Sequence, residues 1–188
     1  TRRLVHILWW RSKAIDALVN SDDIVFYAHY WPERTTNPRG GPFFSSQVVC
    51  VELLMATGRR VLFQEHPVSL SLKNQHRNRT AQGNFYRRRL RDLGVPIIRP
   101  AFRGDHVVAT MSGTVGLESA LRGYKVICFA KPWYRFLPNV HVFSNVSNLE
   151  AFLGEAPTWT VSSLETLMKE YLERIQNKNN ENSVSFAW

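Results

Sequence analysis

A hydroxyl- and glycine-rich turn, Ser112-Gly113-Thr114, joins an apolar run to a helical pattern. Residues 107–110 predict a buried strand, and residues 114–122 predict a helix. The N-terminus of a helix carries about +0.5 charge and several unpaired N–H groups, which together bind phosphate. We therefore expect the turn to bind a phosphate. The alternative is that a hydroxyl merely caps the helix, while the glycines let it approach the sheet.

Two further polar groups follow predicted strands. Pro67 stops the strand 60–66, so His66 projects from the end of that strand. An imidazole there can donate to a phosphate or act as a general acid, or it can simply bond a loop carbonyl. Glu33 follows the strand 23–30 and could accept a hydrogen bond from a sugar hydroxyl, or pair with the adjacent arginine. His66 and Glu33 are the candidate catalytic residues, although the sequence does not assign the catalytic group.

The elements that would position these groups alternate between strands and helices. The predicted strands are continuously apolar, which is typical of a parallel sheet covered on both faces. The alternation predicts an α/β fold with a Rossmann-like, doubly wound parallel sheet. The carboxyl ends of such strands share one edge, so the three groups should converge. The predicted strands are 23–30, 60–66, 96–99, 107–110 and 125–130, and the predicted helices are 9–19, 46–57, 85–93, 114–122 and 164–175.

Several helix ends carry recognisable signals. We expect Asn84 to cap the helix 85–93 and Gly94 to end it. Ser162 and Glu165 have the spacing of a capping box for the last helix. Residues 1–176 are predicted to form a single Rossmann-like domain, and residues 177–188 a flexible tail.

Composition narrows the function classes. The chain has 188 residues, of which 44% are hydrophobic, so it can fold around its own core. It lacks the apolar run of about 20 residues that a membrane span needs, and we expect no signal peptide. Cys50 and Cys128 lie in apolar contexts without the spacing of a metal site. They indicate buried thiols in a reducing compartment, and we expect no metal site.

Positive charge is concentrated in one segment. The chain carries 24 Lys and Arg against 15 Asp and Glu, a net charge of +9. Residues 73–103 hold nine basic residues against Asp92, a net charge of +8. Such a field favours an anionic partner. Arg87, Arg88 and Arg91 are expected to face away from the apolar stripe of their helix and to contact an anionic membrane surface. A solvated helix face is the alternative.

Three motifs together resemble a known family. The first is Tyr27-x-His29-x-x-Pro32-Glu33-x-x-Thr36, the second is Glu65-His66-Pro67, and the third is Ser112-Gly113-Thr114-Val115-Gly116-Leu117-Glu118-x-Ala120-Leu121-x-Gly123. In this order they resemble the capsule polysaccharide biosynthesis glycosyltransferases, which include the capsule-export Kdo transferases. The resemblance covers residues 24–135. Gln64 stands where the family commonly has Lys.

The resemblance implies a fold and a donor. Such enzymes have a GT-B fold of two Rossmann-like halves, and this chain is similar to the C-terminal half, which binds the nucleotide-sugar donor. Carried over, His66 and Pro67 would contact the CMP of a CMP-sugar, and the 112–114 turn would hold its phosphate. Glu118 would bind the ribose or sugar, or bond back to its own loop. The N-terminal half, which usually supplies the catalytic carboxylate, would be a missing partner.

The resemblance also implies the reaction and its setting. The reaction would transfer a sugar, Kdo by analogy, to a glycan or glycolipid acceptor, with no metal or other cofactor. The protein would be cytoplasmic, and peripheral on the inner face of the bacterial cytoplasmic membrane. Two alternatives stay open. One is a basic nucleic-acid-binding module in which Phe85 and Tyr86 stack on bases, although Tyr86 fits the apolar stripe better. The other is a non-catalytic domain derived from the enzyme fold.

Overall fold

A six-stranded parallel sheet forms the centre of the domain. The computed structural model describes residues 18–29, 47–66, 81–98 and 105–184, with the backbone alone described for 81–85 and 178–184. The strands lie in the order β3-β2-β1-β4-β5-β6, and every neighbouring pair is parallel. They are β1 (Ile24–Tyr27), β2 (Val61–Gln64), β3 (Ile97–Ile98), β4 (Val107–Thr110), β5 (Val126–Cys128) and β6 (Val140–Val142). The predicted Rossmann-like α/β fold is confirmed.

Helices cover both faces of the sheet. They are α1 (Gln47–Met55), α2 (Ala81–Asp92), α3 (Thr114–Leu121), α4 (Val146–Gly154) and α5 (Val161–Val184). Helices α1, α2 and α4 pack on what we call the first face, where Ile24 and Phe26 of β1 point. Helices α3 and α5 pack on the second face, where Val25 and Tyr27 point. Successive strand residues point to opposite faces, so a strand buried on both sides must be apolar throughout.

Helix ends follow the predictions in part. Gly94 and Gly123 end α2 and α3 as expected, with φ of 70° and 90° that favour glycine. The prediction that Asn84 caps α2 is wrong, because α2 already begins at Ala81. The predicted capping box of α5 is also wrong. Thr160 and Ser163 form it instead: the Thr160 N–H donates to Ser163 Oγ at 3.0 Å, and the Ser163 N–H donates to Thr160 Oγ1 at 3.2 Å.

Other predictions fall short at the ends of the chain. Helix α5 continues to Val184, so the predicted end at Ile175 is wrong. The apolar stripe stops near Ile175, and the Asn-rich segment beyond it has low helix propensity, so the sequence contains no signal for the continuation. The flexibility of residues 177–188 stays a prediction. Of the helix predicted over residues 9–19, only Leu18 and Val19 are described, and they are not helical.

One strand and one helix were missed by the sequence reasoning. Strand β6 is Val140-His141-Val142, so a polar residue interrupts the continuous apolar run by which the other strands were predicted. Helix α4 had readable signals. Asn145 caps it by accepting a hydrogen bond from the Asn148 N–H at 2.8 Å, and Leu149, Phe152 and Leu153 form its buried stripe.

Candidate functional site

The strand order places a crevice between β1 and β4. Strands β2 and β3 lie on one side of β1, whereas β4, β5 and β6 lie on its other side. In open α/β sheets, ligands bind at the carboxyl ends of the strands where the order reverses in this way. Tyr27 of β1 pairs with Gln64 of β2 and with Thr110 of β4. Two residues beyond these three positions stand His29, His66 and Ser112.

His29 occupies the middle of this edge. It is buried, with only 8% of its surface exposed, and its Nε2 lies 3.0 Å from Thr110 Oγ1. Its backbone is held by Gln47 of α1. The His29 N–H donates to Gln47 Oε1 at 2.7 Å, and Gln47 Nε2 donates to the His29 carbonyl at 3.0 Å. A central imidazole is thus fixed on both its ring and its backbone.

The charge state of His29 follows from its surroundings. Burial, and then the nearby His66, lower the pKa of His29 to about 4. The ring is therefore neutral near pH 7, and His66 is near enough to influence it electrostatically. His66 itself is half-buried. The sequence reasoning gave His29 no role of its own, although a polar residue two positions beyond an apolar strand could have drawn attention to it.

The turn before α3 has the features of an anion site. Gly113 is the N-cap residue, with φ −73° and ψ 169°, and it is not accompanied by any side-chain capping hydrogen bond. The alternative that Ser112 or Thr114 merely caps this helix is therefore wrong. Ser112 is half-buried and Thr114 is exposed. The first N–H groups of α3 point toward the crevice end of the helix with no hydroxyl cap bonded to them.

The glycines of this turn also serve close packing. A Cβ on Gly113 would lie 2.7 Å from Nε2 of His29, and a Cβ on Gly116 would overlap the hydroxyl of Tyr134. That hydroxyl donates to the Gly113 carbonyl at 2.8 Å. The packing alternative for the glycines is thus confirmed. It also brings the backbone of the turn against the imidazole, so packing and anion binding are compatible uses of the same residues.

Glu65, one residue before His66, belongs to the first face. Arg87 binds its carboxylate through two hydrogen bonds, Nε to Oε1 at 2.6 Å and Nη2 to Oε2 at 3.0 Å. The Tyr86 hydroxyl donates to Oε1 at 2.7 Å. Glu65 and Arg87 have side chains only 7% and 15% exposed. This buried ion pair ties the end of β2 to α2, and it thereby fixes where His66 stands.

The predicted basic surface is corrected by that ion pair. Arg87 faces Glu65 rather than solvent, so the expectation that it contacts an anionic surface is wrong. Arg88 and Arg91 are exposed as expected, whereas Arg89 binds Glu52 at 2.8 Å. Tyr86 packs against the core of the first face, as its place in the apolar stripe indicated. It is therefore not a platform for nucleic-acid bases.

The other predicted site residues divide into described and undescribed ones. Glu118 lies one helical turn beyond Thr114 and is exposed. Pro67, Glu33 and the segment 68–80 lie outside the described residues. Cys50 and Cys128 are buried thiols outside any disulfide, as expected, and burial raises the pKa of Cys128 to about 12.

The described parts of the chain contain no group of three His, Cys, Asp or Glu side chains arranged to hold a metal ion. Among the helices described, none is long and apolar enough to cross a membrane.

Comparisons with known proteins give one distant structural match. The chain matches no known family model and no curated protein sequence. A solved structure, Thermosulfurimonas dismutans KpsC, beta Kdo 2,7 transferase, matches over 81% of this chain with 14% sequence identity and a TM-score of 0.43. This chain spans about half of that protein, 51% of its length. A likeness this distant concerns the α/β fold at most, and it assigns no residue a role.

Proposed function

We propose that this chain is the donor-binding domain of a glycosyltransferase, and that it holds the phosphate of a nucleotide sugar in the crevice between β1 and β4. The observation that carries the proposal is the convergence of His29, His66 and the 112–114 turn at one edge of the sheet. The three motifs of the sequence point to the capsule polysaccharide class, with CMP as the nucleotide and Kdo as the sugar.

The chemistry follows from the groups at this edge. The N–H groups of the first turn of α3 donate to the phosphate oxygens, and the hydroxyls of Ser112 and Thr114 add further donors. His66 donates from the β2 side. When the sugar leaves, negative charge grows on the departing phosphate, and these fixed donors stabilise it. The neutral His29 adds no charge; it positions the turn through its contacts with Thr110 and Gly113.

The setting of the reaction is part of the same proposal. A donor with its own phosphate leaving group needs no metal ion, because the helix N-terminus and His66 stabilise the negative charge that develops on that phosphate. The acceptor is a glycan or glycolipid, and a second Rossmann-like half would supply the catalytic carboxylate. Arg88 and Arg91 would contact anionic lipid at the inner face of the bacterial cytoplasmic membrane, where the protein would be peripheral and cytoplasmic.

Calorimetric titration with CMP, UMP, ADP and a short oligonucleotide tests this. We expect CMP to bind with the highest affinity. His66→Ala should weaken CMP binding at least tenfold, since a hydrogen bond to a charged group contributes about 1.5–3 kcal/mol. Ser112→Ala should weaken it less. Thr166→Ala is the matched control, because Thr166 is an exposed hydroxyl residue on α5 and should leave the affinity unchanged.

The other outcomes favour the alternatives. Oligonucleotide binding that falls steeply with salt, without CMP binding, would identify a nucleic-acid-binding module. Binding of none of these ligands would leave the non-catalytic domain as the explanation. CMP binding that His66→Ala does not change would contradict the proposed site while leaving CMP as a ligand.

A further inference from the structure

An exposed tryptophan stands beside the phosphate turn. Trp133 lies in the loop that follows β5, the strand next to β4, and 48% of its surface is exposed. Its neighbour Tyr134 is buried and donates its hydroxyl hydrogen to the Gly113 carbonyl at 2.8 Å. The Trp133 ring meets the Tyr134 ring nearly at right angles, at 87°, with centroids 5.8 Å apart. One tyrosine side chain therefore separates the indole from the turn.

The indole is held in place from behind. Its ring stacks on Tyr171 of α5, with centroids 5.8 Å apart and an angle of 24°. Tyr171 in turn stacks on Phe136 at 4.2 Å. These two ring contacts hold Trp133 in place and still leave 48% of its surface exposed. An aromatic ring fixed in this way loses little conformational entropy when a ligand binds to it.

The sheet puts the loop of Trp133 at the ligand edge. Strands β4 and β5 are parallel neighbours, so the segments that follow them leave the sheet at the same edge. The Phe129 N–H donates to the Thr110 carbonyl at 3.0 Å, and the Ala130 N–H donates to the Met111 carbonyl at 2.8 Å. The loop that carries Trp133 therefore begins beside the segment that leads into the phosphate turn.

We propose that Trp133 is the stacking platform for the base of the nucleotide whose phosphate binds at the 112–114 turn. This rests on the function proposed above. Among the described residues of this edge, Trp133 presents a large exposed π surface, whereas His29 and Tyr134 are buried. A flat base stacked on the indole needs no change in the protein, and it would place the ribose between Trp133 and the turn.

Titration of the full chain with CMP and with ribose 5-phosphate separates the base from the rest of the ligand. Trp133→Ala should weaken CMP binding about tenfold or more and leave ribose 5-phosphate binding unchanged, while Trp133→Phe should retain most of the CMP affinity. Val161→Ala, an exposed apolar residue at the far end of α5, is the matched control. Circular dichroism and Tm establish that each variant is folded.

The possible failures are distinguishable. If neither CMP nor ribose 5-phosphate binds the wild-type chain, the proposed function itself fails. If CMP binds equally to wild type and Trp133→Ala, only the stacking role is wrong. Equal losses for CMP and ribose 5-phosphate would show a positioning effect on the turn and overturn the stacking role. Self-association that Trp133→Ala abolishes, with unchanged CMP affinity, would make this surface a protein interface.

Discussion

Polar residues at the carboxyl ends of the strands have different partners on the two faces of the sheet. At the end of β2, Glu65 points to the first face and His66 follows it toward the second. The Glu65 carboxylate is fully engaged by Arg87 and Tyr86. On the second face, imidazoles, a hydroxyl and a helix N-terminus gather around the crevice. Because strand residues alternate between faces, one residue step separates a group used for stability from one suited to ligand binding.

The buried ion pair offers the largest test of this difference. Arg87→Met should cost about 3–5 kcal/mol of unfolding free energy, because it leaves the Glu65 carboxylate buried and unpaired. Urea denaturation measures the loss. Arg88→Met is the matched control on the same helix: its side chain is exposed, and we expect a change within about 0.5 kcal/mol. If Arg87→Met and Arg88→Met lower the free energy of unfolding equally, the ion pair with Glu65 does not stabilise the first face.

The neutral imidazole of the second face predicts a pH dependence. The pKa of His29 is lowered from 6.5 to about 4 in the folded state. Between pH 6.5 and pH 4, His29 is therefore protonated in the unfolded chain and neutral in the folded chain. Stability is therefore complete above pH 6.5 and falls as the pH drops toward 4, by about 3 kcal/mol from this residue. In urea denaturation at several pH values, His29→Gln should remove this contribution to the dependence of the unfolding free energy on pH. A slope that His29→Gln leaves unchanged would show that other groups cause it.

Close packing in the turn predicts the smallest of the three effects on stability. Gly113→Ala places a Cβ 2.7 Å from His29 Nε2, and overpacking of this kind costs about 1–3 kcal/mol. It should also weaken CMP binding, because the backbone of the turn must shift. Thermal unfolding and calorimetry measure both effects. Gly154→Ala, where the added Cβ meets nothing within 4 Å, should be neutral or slightly stabilising. If Gly113→Ala leaves the CMP affinity unchanged, the turn is not part of the CMP-binding site.

Much of the fold could be predicted from local patterns, because buried parallel strands must be apolar throughout and glycine ends helices visibly. Five of the six strands, and the helix after the 112–114 turn, were predicted within a few residues of their bounds. Strand β6 was missed because His141 interrupts its apolar run. Capping was misassigned at Asn84 and Ser162, because several polar residues near a helix start satisfy the same pattern and only the backbone path chooses among them.

The candidate site was predictable in location and not in detail. The sequence by itself predicted that polar groups at Glu33, His66 and Ser112 follow apolar strands, since the carboxyl ends of parallel strands share one edge. The tertiary structure decided that Arg87 turns inward to Glu65, that His29 is neutral and braces Gly113, and that Trp133 stands exposed beside the turn. These outcomes depend on contacts between residues far apart in the chain, whose distances and burial no local pattern of residues encodes.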